Sequence, residues 1–437
     1  MGNLDSKPIK HELVKTICEE LTFNAEELEV IRKSFVDQME KGWEFGKGDG
    51  ASADKSSLKM ISSHINILPT GDEVGVFFAV DLGGTNLRVL RVALADGKVT
   101  VKEHREAIPH SVISRDAKCE DLFDFIATAC SKLTSDIAED SPPMPLGFTF
   151  SFPCSQNSIK SGKLIEWTKG FETQGCVGED PAALLQAALD RNKIPLSVCA
   201  LCNDTVGTLM TNAYQKKSKF CRIGVILGTG TNAAYCDPVL DDLIINIEWG
   251  GFNELPRRTA FDEEVDAHSP NVGKQWLEKM VSGLYLGELT RLASIAAMSN
   301  PPPAFLERHS VDTAAISELL SGEPVSGALS SLDSDHLEVV KKIAEAVIDR
   351  SAAVAAAALA AVVQKATAGK ESRRCEVGID GSLFTKGHEY NNRFLNHLRR
   401  FYPEEAIELD FSEDGSGLGA ALVAAAISKG RQVSDRQ

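Results

Sequence analysis

One strand-turn-strand pattern occurs twice in this chain, and that repeat constrains the fold more than any other feature. "VDLGGTNLRVL" (Val80 to Leu90) and "VILGTGTNAAY" (Val225 to Tyr235) are each an apolar run, a Gly/Thr turn and a second apolar run. Valine, isoleucine and leucine suit a pleated surface, and the glycines permit a tight turn. Two copies of one hairpin imply a duplicated α/β domain with a cleft between its halves. Facing Gly/Thr turns can hold a phosphate chain from both sides, because short glycine turns let backbone N–H groups converge on phosphate oxygens. The copies differ at one position: Asp81 in the first stands where Ile226 stands in the second. A carboxylate cannot attract phosphate, so at the tip of such a hairpin it calls for a cation.

The rest of the chain supplies elements for two such halves. Leu13, Ile17 and Leu21, then Leu28, Ile31, Phe35 and Met39, fall at helical spacing. "GKGDGASADKSS" (Gly46 to Ser57) is a polar linker. Strands are predicted over Val76 to Ile108, a helix around Leu122 to Ile137, and a strand ending at Pro153. Helical patterns cover Gln275 to Leu292 and Leu337 to Lys370, and the end alternates strand and helix. These divisions place residues 1–63 as a helical part of a large lobe, 64–205 as a small lobe and 206–437 as the rest of the large lobe. The C-terminal helix is free to return to the small lobe.

At 437 residues the chain has ample material for a core. Its formal charge of −16 disfavours nucleic acid or an anionic membrane as partner. An anionic ligand would need local N–H groups and a metal to overcome that field. The ten cysteines are scattered without a framework, and the C-x-x-C of Cys199 and Cys202 has no second pair or nearby histidine. They are expected to be reduced core thiols rather than a zinc or redox site. "SAAVAAAALAAVV" (Ser351 to Val363) is too short and alanine-rich for a membrane span and reads as a closely packed helix. Met1-Gly2-Asn3-Leu4-Asp5-Ser6 fits the N-myristoylation pattern at Gly2, against the plainer reading of a polar arm. One acyl chain binds membranes only marginally, so no stable membrane association is expected. Nothing reads as a Walker A loop. "GSGLGA" (Gly415 to Ala420) opens a helix without the acidic partner of a dinucleotide fold.

Four further stretches carry the chemistry: "LGFTFSFPCSQNSIKSGKLIEWTKGF" (Leu146 to Phe171), "LCNDTVGTLM" (Leu201 to Met210), "INIEWGGF" (Ile245 to Phe252) and "GKQWLEKMVSGLYLGEL" (Gly273 to Leu289). With both hairpins and "VGIDGSLF" (Val377 to Phe384), in this order, the chain resembles the eukaryotic hexokinase/glucokinase family over roughly residues 58 to 430. The resemblance implies an α/β fold of duplicated actin-like ATPase (ribonuclease H-like) domains, two lobes with a central cleft. It implies ATP-dependent phosphorylation of glucose or a related hexose at the 6-hydroxyl, the first step of glycolysis, with Mg²⁺, in the cytoplasm. A kinase for another sugar, such as an N-acetylhexosamine, and a non-catalytic sugar sensor are the alternatives. Asp204 and Lys169 are both intact, which tells against the sensor.

A hexose presents several hydroxyls, each donor and acceptor, so its pocket needs carboxylates, amides and hydroxyls. Ser151, Thr168, Lys169, Asn203, Asp204, Asn232, Glu248 and Glu278 supply that mixture, and the family uses the matching positions for sugar. Taken alone, Asn203-Asp204-Thr205 would read as a helix cap. Asp204 matches the family's catalytic base, and Lys169 can bind sugar and stabilise charge on the transferring phosphoryl group. Asp81 is the candidate holder of hydrated Mg²⁺. Gly83, Gly84, Thr85 and Asn86 approach the phosphates, with Arg88 steadying Asp81 or the phosphates. Gly228, Thr229 and Gly230 meet the phosphates from the second copy. Gly381, Ser382, Gly415 and Ser416 resemble adenosine-binding elements. The chain departs from the family pattern at Leu418, where a polar or basic residue is expected, and at Leu284, where some relatives carry lysine. "KMISSHI" (Lys59 to Ile65) also lacks the usual proline of the lobe connection.

Overall fold

The computed structural model describes residues 11–46, 55–138, 141–167, 169–411 and 415–434. Gly2 with its acylation pattern, most of the predicted linker and Thr168 lie outside the described residues.

The repeated hairpin seeds two sheets of matching order. In the small lobe, Gly75–Leu82, Asn86–Ala95 and Lys98–Ala107 form an antiparallel meander, and Met144–Phe150 then Leu196–Cys202 extend it in parallel beyond Gly75–Leu82. In the large lobe, Cys221–Leu227, Thr231–Asp237 and Leu243–Asn246 make the same meander, and Cys375–Asp380 then Ile407–Phe411 extend it in parallel. Each sheet therefore runs third-second-first-fourth-fifth. The large sheet gains one short extra strand, Ile61–Ser62, from the lobe connection. That connection turns through left-handed backbone at Met60 and His64, at φ 50° and 57°, in place of the missing proline.

After its fifth strand, each lobe sends a helix across to the other. Asp204–Lys216 follows the last small-lobe strand but packs on the large-lobe strands, and Gly415–Ser434 follows the last large-lobe strand but packs on the small-lobe sheet. The two helices cross where Gly207 meets Gly419, and a Cβ on Gly419 would lie 2.0 Å from the Gly207 carbonyl oxygen. Only glycine permits that approach. The N-termini of both helices thus converge between the lobes, and Asp204 and Ser416 arrive there together.

The large-lobe core is built by amphipathic helices. His11–Leu21 and Ala25–Gly46 bury Val14, Ile17 and Leu21, then Leu28, Ile31, Phe35 and Met39; the helical spacing predicts these except that Val14 is the buried residue and Leu13 only partly so. Ser334–Ala366 is long and apolar enough to cross a membrane by length and composition, yet it is buried on nearly all sides. Its alanines let helices Ala25–Gly46, Gly283–Ala297 and Tyr390–Leu398 pack closely against it. The helical pattern predicted across Gln275 to Leu292 is broken: Ser282 is extended (φ −80°, ψ 151°) and separates Trp276–Val281 from Gly283–Ala297.

The cysteine reading needs one correction. Cys119, opening the helix Cys119–Thr134, is disulfide-bonded to Cys176 in the loop after Phe171. They lie 57 positions apart, and they meet where the Ala117–Cys119 backbone pairs with Gln174. Cys199 and Cys202 are buried thiols, as expected. Burial pushes the Cys202 thiol up to about 12, which leaves it unreactive.

Candidate active site

The two hairpins face the gap between the lobes with different chemistry. In the first, Asp81 is directly opposite Arg88, and Gly83 N–H donates to Asn86 O at 3.1 Å to close the turn. Asp81 is 8% exposed, accepts from Ser416 Oγ at 3.0 Å and lies 3.8 Å from Arg88 Nη1. Burial pushes its carboxyl up to about 6, against the pull of Arg88. Arg88 also donates to Glu103 at 3.0 Å, so its guanidinium is shared between Asp81 and Glu103. A single buried carboxylate with a hydroxyl beside it, at a helix N-terminus, fits Mg²⁺ that keeps most of its waters. Among the described residues no group of three acidic, histidine or cysteine side chains forms a fuller cation cage.

In the second hairpin, Ile226 holds the position of Asp81, and the residue directly opposite it is Asn232. Asn232 Nδ2 donates to Asn246 Oδ1 at 2.8 Å, to Asn203 Oδ1 at 3.2 Å and toward Glu248 Oε1 at 3.4 Å. Its own Oδ1 accepts from the Ala233 and Trp249 N–H groups at 2.7 and 3.2 Å. Asn246 donates in turn to Glu248 Oε1 at 2.9 Å. Glu278 accepts from Thr231 N–H at 3.2 Å, and a Cβ on Gly230 would lie 3.0 Å from its Oε2. Burial pushes the Glu278 carboxyl up, while the Thr231 N–H and the Lys169 charge pull it down.

Asn203, Asn232, Glu248 and Glu278 are therefore brought onto one wall. Asn203 is also the helix cap it resembles: its Oδ1 accepts from Thr205 N–H at 3.0 Å and Thr205 Oγ at 2.7 Å. That oxygen also accepts from Asn232 Nδ2, so its acceptor capacity is fully used. Across the gap, Lys169 Nζ donates to Ser151 O at 2.8 Å, and its stem abuts Gly84 at the first hairpin's tip. The charges of Lys169 and Asp204 both act on Asp81, with opposite sign. Lys169 thus stands within electrostatic reach of Asp81 on one side and Glu278 on the other.

Two residues of this wall escaped the sequence reading. Asn246 ties Asn232 to Glu248, and its signal was its place at the end of the strand Leu243–Asn246, two residues before Glu248. Gln275 has left-handed backbone (φ 57°), and a Cβ on Gly250 would lie 2.8 Å from its Oε1. Lys169 and Glu248 share that strained conformation, at φ 56° and 57°. Non-glycine residues at positive φ are held there by their surroundings, and three of them lie around this cleft.

The adenosine-like elements fall into two places. Gly381 (φ 123°) sits against Leu227 and Gly228, and Ser382 begins the helix Ser382–Lys386 beside them. Gly415 and Ser416 open the crossing helix beside Asp81. The exposed Leu284 borders the second turn, its N–H donating to Thr229 O at 3.2 Å. Phe411, half exposed at the end of its strand, stacks on Phe384 with centroids 5.0 Å apart.

Two matching frames, joined by crossed helices around a polar cleft, define the duplicated actin-like ATPase fold. Hexokinase family models match residues 13–214 and 222–426. Hexokinase-7 of Oryza sativa subsp. japonica is 36% identical over 96% of this chain and 97% of its own length. Hexokinase-1 of Mus musculus is 36% identical over 95% of this chain, which spans only 45% of that longer protein. The chain spans about half the length of several curated relatives it matches. The structure of a hexokinase from Schistosoma mansoni complexed with glucose superposes with a TM-score of 0.82, at 32% identity, covering 95% of this chain and 99% of that one. Another hexokinase crystal structure gives a TM-score of 0.85 at 34% identity, with coverage of 95% and 99%. The chain belongs to the hexokinase family.

Proposed function

We propose that this chain is an ATP-dependent hexose kinase of the cytoplasm that phosphorylates glucose at its 6-hydroxyl. The observation that carries the reading is the continuous polar wall of Asn203, Asn232, Asn246, Glu248 and Glu278, facing Lys169 and Asp81 across one cleft. The wall presents carboxylates and amides at spacings that suit a ring of hydroxyls. The glucose complex of the similar Schistosoma mansoni protein supports glucose as the sugar.

In this reading Asp204 takes the proton of the 6-hydroxyl and orients that oxygen for attack. Lys169, on a flexible stem, places positive charge where the transferring phosphoryl group gathers negative charge. Thr85, Thr229 and the glycine N–H groups of both turns bind the phosphate chain. Asp81 would hold Mg²⁺ through its waters, supplying charge neutralisation on the phosphate oxygens. Gly381, Ser382 and Ser416 would line the adenosine end.

Water is small enough to replace the sugar hydroxyl, so the site must assemble only when sugar is present. Sugar contacts on both sides of the cleft let its binding energy draw the lobes together. The primary test is ADP release in a coupled assay across a panel of glucose, mannose, fructose and N-acetylglucosamine. Turnover with glucose and almost none without sugar is expected. Release that is sugar-independent, or fastest with the N-acetyl sugar, would overturn the reading.

A further inference from the structure

Beside Glu278, the ammonium of Lys279 is buried at 2% exposure, pointing away from the cleft. It is surrounded by three acceptors: the Asp266 carboxylate, the Asn271 carbonyl at 3.0 Å and the Lys274 carbonyl at 2.7 Å. An ammonium has three protons, and each finds a partner. Asp266, itself 5% exposed, also accepts the Gly273 N–H with both oxygens, at 2.9 and 3.0 Å. The loop from Asp266 to Lys274 is thus folded around one cation.

That loop delivers the chain to Gln275, whose left-handed backbone starts the short helix Trp276–Val281. On a helix, consecutive residues point about 100° apart. With Lys279 locked inward, Glu278 is turned toward the second hairpin, where it accepts from Thr231 N–H. A buried ion pair is weak evidence for stability, because desolvation offsets most of its attraction. Its better-attested use is to specify one geometry, and the geometry specified here is that of a helix too short to hold its own direction.

We propose that Lys279 and Asp266 are positioning residues for the sugar site, acting through Glu278. The proposal rests on the reading of Glu278 as a sugar ligand.

The test measures glucose and ATP kinetics, with melting temperature, for the full-length variants K279M, D266N, E278Q and the double variant E278Q/K279M. K279M keeps stem length and removes the charge. It should raise the glucose KM roughly tenfold, leave the ATP KM unchanged and change kcat less than threefold. D266N, which keeps an acceptor for the Gly273 N–H, should give a smaller rise in the same parameter and serves if K279M does not fold. In the double variant, the K279M effect should largely vanish, because a residue acting through Glu278 has nothing left to position. If K279M and E278Q raise the glucose KM additively, Lys279 does not act through Glu278 and the proposal fails. It also fails if K279M loses stability and both KM values shift together, since that marks a merely structural pair. An unchanged glucose KM in E278Q alone would instead overturn the underlying sugar assignment.

Discussion

The two hairpins share a backbone plan and differ in what is hung on it. At the first, a buried Asp81 faces Arg88 across the strand pair and takes Ser416 Oγ; at the second, Ile226 faces Asn232, which opens onto Asn246, Glu248 and Asn203. The turns differ too: residues 83–86 separate the paired Leu82 and Leu87, whereas only 228–230 separate Leu227 and Thr231. In the proposed reading, one frame serves a cation and phosphates, and its copy a neutral, hydroxyl-rich ligand alongside phosphates. Duplication supplies the symmetric cleft. Side chains at one pair of facing positions, together with the turn lengths, break that symmetry.

The comparison can be broken most severely between the hairpins, at Asp204. Asp204→Ala should lose ~10²–10⁴ in kcat, the usual worth of general-base help, while ATP binding by calorimetry stays intact. Turnover within threefold of the parent would remove Asp204 from its role. Next comes the first hairpin alone. Asp81→Asn keeps the turn's size but removes the charge, and should cost roughly 10²-fold at limiting Mg²⁺, because a metal contributes several kcal/mol of charge stabilisation. Excess Mg²⁺ should partly restore activity while glucose binding barely changes; loss at every Mg²⁺ concentration with a lower Tm would mark Asp81 as structural.

The second hairpin is isolated by Glu248→Gln, which should raise the glucose KM by on the order of tenfold to a hundredfold, the 1–3 kcal/mol cost of an unpaired buried partner. The ATP KM should not move, and a shift of both together would erase the division of labour. The smallest effect should come from Ser416→Ala. Loss of one hydroxyl bond to Asp81 should cost about 1 kcal/mol, roughly fivefold in kcat/KM for ATP, with glucose parameters unchanged.

Much of the site was legible because its residues cluster in short motifs at strand ends. Asn203-Asp204, Glu248 and the Gly/Thr turns each lie where an apolar strand stops, and a sheet brings strand ends together. Less legible were features that depend on two distant segments. The Cys119–Cys176 bridge needed the pairing of Gln174 with the Ala117–Cys119 backbone. The break at Ser282 runs against an apolar pattern that reads as one continuous helix; there Ser282 N–H closes onto Glu278 O and Gly283 N–H reaches Gly228 O. Nor does local propensity show that Asn203 is at once a cap and a wall residue, since its one Oδ1 accepts both from the Thr205 N–H of its own helix and from Asn232 Nδ2 across the wall.

What the sequence determined by itself is the repeated frame and the chemical types at its strand ends, because apolar alternation and turn residues act over a few neighbours. The tertiary structure decided which of those groups meet. The exchange of helices Asp204–Lys216 and Gly415–Ser434 between lobes brings Ser416 to Asp81 across the chain and sets Asp204 near both. Its physical basis is the glycine contact of Gly207 with Gly419, a close approach that only the packed helices reveal.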